Sequence, residues 1–185
     1  MRSVAGNAGT WYSLCALYHG GAYFMSIDLD HIDRKILMLL QQDCSLSTGE
    51  IADRVGISQA PCWRRIKRME ELGLIRMRVA LLDRRKLGLS VMIFASIKLA
   101  AHGRNTLPQF EQAIRRYPEV LECHTLLGEK DFLLRIVASD VEAYERFFRD
   151  KLSQLPAVRE TTSAIALSEI KNTTVLPLAM LPPAG

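Results

Sequence analysis

Four cationic side chains, Arg64, Arg65, Lys67 and Arg68, stand within five positions of one another, with Gln59 and Trp63 just ahead of them. Cationic groups neutralise phosphates, and Arg or Gln reads a base edge through paired hydrogen bonds, so the chemistry offered here is contact with duplex DNA. The rest of the chain offers little for catalysis. His124 and Glu122 share one face of an expected strand, as i and i+2, but no nucleophile, phosphate-binding glycine loop or carboxylate pair accompanies them. Cys15, Cys44, Cys62 and Cys123 lie far apart, with no Cys-x-x-Cys pair and no histidine at zinc-finger spacing. Adjacent Cys123 and His124 would point to opposite faces of a strand. No metal, cofactor or disulfide is expected, no enzymatic activity either, and free thiols suit a reducing cytoplasm.

DNA-directed side chains need a rigid helix, and the flanking sequence supplies one. Ser47 lies three residues before Glu50, a capping box, and Ile51, Ala52 and Val55 follow as one apolar face. Gly56 suits a left-handed helix end, Ser58 can cap the next helix, and Pro61 falls in its first turn. In that helix Cys62, Ile66 and Met69 form the core stripe, leaving Gln59, Trp63, Arg64, Lys67 and Arg68 on the other side. The pattern is a helix-turn-helix whose second helix fits the major groove with its N-terminal residues towards the bases. A preceding helix, capped by Asp28 or Asp30, carries Leu29, Ile32, Ile36, Leu39 and Leu40 and ends near Gln42. Beyond Gly73, the partial alternation from Leu74 to Leu82 predicts a wing or linker strand. Arg76 and Arg78 there either touch phosphates or face solvent.

The chain has 185 residues, 49% of them hydrophobic, with a formal net charge of +4, enough for one large or two small cores. From Ser26 to Gly88 there are 12 Lys and Arg against 9 Asp and Glu; from Leu89 to Ile170 the counts are 10 and 11, so the positive excess belongs to the helix-turn-helix part. Residues 1–25 are rich in glycine and small residues, and the apolar run from Trp11 to Tyr18 is far short of a membrane span. They read as a disordered extension, or as translated sequence upstream of a start at Met25. No membrane association is expected.

From residue 90 the periodicities change. Strand-like runs Val91–Leu99, Val120–Leu127, Phe132–Val137 and Arg159–Leu167 alternate with helical stripes, one of Leu107, Phe110, Ile114 and Tyr117, the other of Val141, Tyr144, Phe148, Leu152 and Leu155. The order β-α-β-β-α-β is that of a ferredoxin-like unit. Two helices cover one face of such a sheet, yet the strands carry apolar residues on both, which predicts an interface with a second copy of the chain. Leu176–Gly185, with Pro177, Pro182 and Pro183, reads as a loose tail.

Taken together, LDHIDRKILMLLQQD, EIADRVGIS followed by PCWRRIKRMEELGLI, and ECHTLLGEKDFLLR with the late SEIK resemble the leucine-responsive (Lrp/AsnC, feast/famine) regulators over about residues 28–178. The resemblance implies an α+β chain. An N-terminal winged helix-turn-helix binds double-stranded DNA, and a C-terminal ferredoxin-like domain dimerises, assembles octamers or other multimers, and binds an amino-acid effector between dimers. Matched residue by residue, it implies DNA contacts from Ser47, Ser58, Gln59, Ala60, Trp63 and Arg64, with Lys67 and Arg68 towards the backbone. The family's Gly-Asp-x-Asp-Tyr hairpin is here Gly128-Glu129-Lys130-Asp131-Phe132, retaining Gly128 and Asp131. Gly128 would let backbone amides approach a carboxylate, and Asp131 would accept from an ammonium group. Leu127, Ile165 and Ala166 would line an apolar pocket, suited to an aliphatic amino acid such as leucine or methionine. Gln59-Ala60 replaces a usual Pro-Thr or Pro-Ser, and Trp63 a common Leu.

The domain boundaries expected are 1–25 for the extension, 26–75 for the winged helix-turn-helix, 76–89 for the linker strand or wing, 90–171 for the ferredoxin-like domain and 172–185 for the tail. The expected function is a cytoplasmic, effector-responsive, sequence-specific transcription regulator. The alternatives are a nucleoid-type architectural DNA-binding protein without effector response and a metabolic enzyme using the ferredoxin-like domain.

Overall fold

The computed structural model describes residues 27–100, 106–155 and 158–181. The extension expected over residues 1–25, Cys15 and Met25 included, lies outside the described residues, as do Pro182 and Pro183. The chain forms two compact units, one running to Arg78 and taking in the residues from Thr174 onward, the other Val79–Thr173.

Among the described residues the α-helices of the first unit are α1 (His31–Gln42), α2 (Thr48–Val55) and α3 (Gln59–Glu71). Asp30, not Asp28, caps α1, its carboxylate accepting from the Asp33 amide at 2.8 Å. The capping box of α2 forms in both directions, and Gly56 closes the helix at φ 76°, where a side chain would be strained. Ser58 corrects an expectation. It occupies the N-cap of α3 in extended backbone but makes no side-chain capping bond. The third helical position, whose N–H an N-cap oxygen would accept, is Pro61, which has none. Ile36, Ile51, Cys62 and Met69 meet in the fully buried centre.

Leu74–Leu82, expected as a strand, forms none; Met77, Val79, Leu81 and Leu82 are exposed along a segment without regular secondary structure. Alternation makes a strand only where another backbone completes the ladder, and none among the described residues does so. The tail is a further correction. Gln41 bonds the backbone of Leu176 in both directions, and Arg34 donates to the Leu181 carbonyl at 3.2 Å. A 3-10 turn, Leu178–Met180, lies between these anchors, so residues 176–181 are held on α1.

The second unit is the expected β-α-β-β-α-β: β1 (Val91–Leu99), α4 (Thr106–Ile114), β2 (Val120–Thr125), β3 (Phe132–Ala138), α5 (Val141–Phe147) and β4 (Val158–Ile165). A π-helical turn, Phe148–Leu152, extends α5. The strands run in the order β2-β3-β1-β4, antiparallel throughout. Ile93, Ile97, Phe132, Leu134 and Ile136 pack with Phe110 of α4 and Phe147 of α5, the Phe110 and Phe132 rings 4.5 Å apart. The other sheet face carries Met92, Phe94, Leu133, Arg135 and Val137 by alternation. Phe94 is 40% exposed at its middle, whereas Ile97 is wholly buried on the helix side.

Candidate nucleic-acid interface and effector site

All eight residues matched to DNA contacts, Ser47, Ser58, Gln59, Ala60, Trp63, Arg64, Lys67 and Arg68, are exposed. Cys62, Ile66 and Met69 fix the rotation of α3 by burying the opposite stripe. Trp63, 56% exposed, offers a flat apolar surface for sugars or thymine methyls. The Ser47 hydroxyl accepts from the Glu50 amide, which leaves its proton for an outside acceptor, and the Ser58 hydroxyl is uncommitted to the helix. Lys67 sits 3.9 Å from Glu70, and Arg78 pairs with Glu70 at 3.1 Å.

Sequence patterning missed an ionic cluster behind this surface. Asp33, 1% exposed, accepts from Arg65 at 2.8 Å and from Arg68 at 3.4 Å. Arg65 also pairs with Asp30 at 2.6 Å, and Arg68 donates to the Asp28 carbonyl at 3.3 Å. Hydrogen bonds from Arg65 to both carboxylates raise its already high pKa further. Burial pushes the Asp30 carboxyl up, but the Asp33 amide and Arg65 outweigh this and hold it below the ordinary value. The signal was present. Leu29, Asp33, Ile36 and Leu40 follow one another at spacings of four, three and four, which puts an acid on the apolar stripe of α1. Cys62, Arg65 and Met69 do the same with a base on α3.

Leu127, Gly128 and Asp131 come together in the hairpin between β2 and β3. Leu127 is 72% exposed, and among the described residues no atom lies within 4 Å of where a Gly128 side chain would begin. Asp131 also braces the fold, because its carboxylate accepts from the Leu99 amide at 2.7 Å and its own amide bonds the Ile97 carbonyl at 2.8 Å. Lys98 donates to the Glu129 carbonyl and Lys130 pairs with Glu160, so the hairpin is tied to β1 and β4. Ile165 and Ala166 do not join it. Asp131 bonds Ile97 while Ile165 pairs with Ile93, about 13 Å away along β1 at the usual rise per residue. Because β4 runs antiparallel to β1, its end lies beside the start of β1, away from the hairpin. One chain therefore assembles only the hairpin part of the expected pocket. Among the described residues no group of three or more metal-ligating side chains occurs, and no helix is long and apolar enough to cross a membrane.

A capped helix-turn-helix with an exposed cationic face, joined to a ferredoxin-like unit, defines a DNA-binding transcription regulator with a separate ligand-binding domain. Residues 29–76 match the family model of a winged helix-turn-helix DNA-binding domain, and residues 92–176 that of the Lrp/AsnC ligand-binding domain. The chain belongs to the Lrp/AsnC family of transcriptional regulators. It is 40% identical over 150 residues to the DNA-binding transcriptional activator DecR of Escherichia coli, covering 81% of this chain and 99% of that one. The crystal structure of an AsnC family transcriptional regulator from Agrobacterium tumefaciens matches with a TM-score of 0.78 at 44% identity, covering 83% of this chain and 100% of that one. A transcriptional regulator from Neisseria meningitidis, in complex with L-Met, matches with a TM-score of 0.78 at 37% identity, covering 81% and 97%.

Proposed function

We propose that this chain is a cytoplasmic regulator whose DNA occupancy or assembly changes when an aliphatic amino acid, leucine or methionine in kind, binds the ferredoxin-like unit. The observation carrying it is the hairpin Leu127–Asp131, which keeps a carboxylate, an open glycine and an exposed apolar side chain together. The L-Met complex of the Neisseria meningitidis regulator supports that ligand class. Base reading falls to Ser58, Gln59, Ala60, Trp63 and Arg64, phosphate contact to Ser47, Lys67 and Arg68.

The working form is a homodimer or a multimer of dimers. The sheet face bearing Phe94 is where a second copy packs, and the apolar part of the pocket, Ile165 and Ala166, reaches a hairpin only from another copy. No catalytic step is assigned. The test is fluorescence anisotropy on genomic promoter fragments with and without each of the twenty amino acids, with sedimentation under the same conditions. A change in affinity or mass with an aliphatic member is expected; no change with any of them sinks the reading in favour of an architectural DNA-binding protein.

A further inference from the structure

The cationic cluster of α3 is half neutralised by the protein itself. Arg64, Arg65 and Arg68 open onto one cleft of about 490 Å³, and the same cleft is lined by Asp28, Asp30 and Asp33. Two of the three arginines are held there. Arg65 is clamped between Asp30 and Asp33, and Arg68 between Asp33 and the Asp28 carbonyl, while no carboxylate pairs with Arg64 among the described residues. Asp33 is the common partner and is buried. Burying a carboxylate in so small a core costs stability, and an apolar residue at this place on the α1 stripe would pack without that cost. What the acid does at this place is hold both arginines.

We propose that Asp33 is a positioning residue for DNA recognition: it holds Arg65 off the phosphates and draws Arg68 partly back from them, so that phosphate contact falls chiefly to Lys67 and binding to arbitrary sequence stays weak. Nonspecific affinity is set by how many phosphates the cations neutralise, and each additional one raises the salt slope by about 0.9. Specific binding exceeds nonspecific binding by the base contacts. An arginine kept off the backbone lowers the nonspecific background without touching base reading. Arg65 then serves as a fixed strut and Arg68 as a weak, partly satisfied cation. This rests on α3 being the groove helix, and the test separates the two ideas.

The experiment measures affinity for random duplex and for the best genomic fragment from 50 to 300 mM salt, on the full chain, with thermal denaturation of each variant. Asp33→Asn frees the arginines while keeping the shape of the side chain. It should bind random duplex five- to twentyfold more tightly, with the salt slope steeper by about one to two, while the ratio of specific to random affinity stays within about twofold because a phosphate contact adds to both. Glu71→Gln, an equal charge change at the far end of α3, should alter random-duplex affinity less than twofold, and an equal gain there would reduce the effect to net charge. Asp30→Asn keeps a good N-cap and releases one side of the clamp on Arg65, so it should gain two- to fivefold. It decides the matter if Asp33→Asn does not fold. Weaker or unchanged random-duplex binding in the folded Asp variants overturns the proposal. Lys67→Ala should flatten the salt slope by about one; if it does not, the groove assignment of α3 fails, and the proposal with it.

Discussion

Gln41 and Leu176 are 135 residues apart in sequence, yet the amide of one side chain satisfies both backbone groups of the other residue. Gln41 Nε2 donates to the Leu176 carbonyl at 3.0 Å, and the Leu176 amide donates to Gln41 Oε1 at 2.9 Å. This two-point clasp, with Arg34 on the Leu181 carbonyl, fastens residues 176–181 to α1 of the DNA-binding unit. Gln41→Ala should release it. The loss is small in free energy, roughly 0.5–1.5 kcal/mol for each exposed-side bond, but local. Hydrogen exchange at residues 174–181 should speed up at least tenfold while the helices α1 to α3 stay protected; unchanged exchange there would mean that the clasp does not hold the tail.

Arg64 and Lys67 differ in kind. Arg64 lies nearer the N-terminal end of α3, whose residues reach bases, and Lys67 is a point charge one turn on. Arg64→Ala should cost about 1–3 kcal/mol on the preferred operator and leave random duplex nearly unchanged. Binding of both duplexes, measured at one salt concentration, checks this. Equal losses on the two would remove Arg64 from the base-reading set.

The helix-turn-helix was legible because its signals are local. Ser47 and Glu50 cap each other, Gly56 takes the left-handed turn, and the spacing of Cys62, Ile66 and Met69 sets the face of α3. The β-α-β-β-α-β order was legible for the same reason, each stripe and alternation belonging to its own element. What failed depends on neighbours. Ser58 takes the N-cap position as expected, but its hydroxyl makes no capping bond, the third helical residue being Pro61. Leu74–Leu82 alternates but has no partner strand among the described residues, and strand direction separates Ile165 and Ala166 from the hairpin of their own chain, which no local signal shows. Asp33 and Arg65 each broke an apolar stripe, and only their meeting across α1 and α3 explains both.

The sheet face away from the helices gives a third prediction, which falls on one residue. Phe94 stands on that face opposite Arg135 and Ala164, whereas Ile97 is in the helix-covered core. Phe94→Asp should dissociate the proposed dimer, seen as a halved mass in sedimentation, and weaken operator binding by about tenfold or more because two half-sites would no longer be read together. Ile97→Asp should instead unfold the domain. A dimeric Phe94→Asp variant with full operator affinity would place the interface elsewhere.

Asp131 provides the sharpest separation of fold from sensing. Its carboxylate accepts from the Leu99 amide, so removing the side chain strips a partly buried N–H of its partner as well as taking a negative charge from the hairpin. Asp131→Ala should therefore lower stability by about 1–3 kcal/mol, and a lost effector response in that variant would be ambiguous. Asp131→Asn is cleaner: the amide oxygen still accepts from Leu99, while the charge that would meet an ammonium group is gone. Melting within about two degrees of wild type is expected, since the bond survives and ~1 kcal/mol shifts a domain of this size by only a few degrees. Binding of leucine or methionine, followed by calorimetry, should weaken at least tenfold, as expected when a charge-assisted hydrogen bond becomes a neutral one. Because a ligand shifts assembly only through its different affinity for the two states, the response of DNA occupancy should fall in the same proportion. Full effector affinity in the folded Asn variant would leave Asp131 as a strut for the hairpin and move recognition of the ammonium group to another residue.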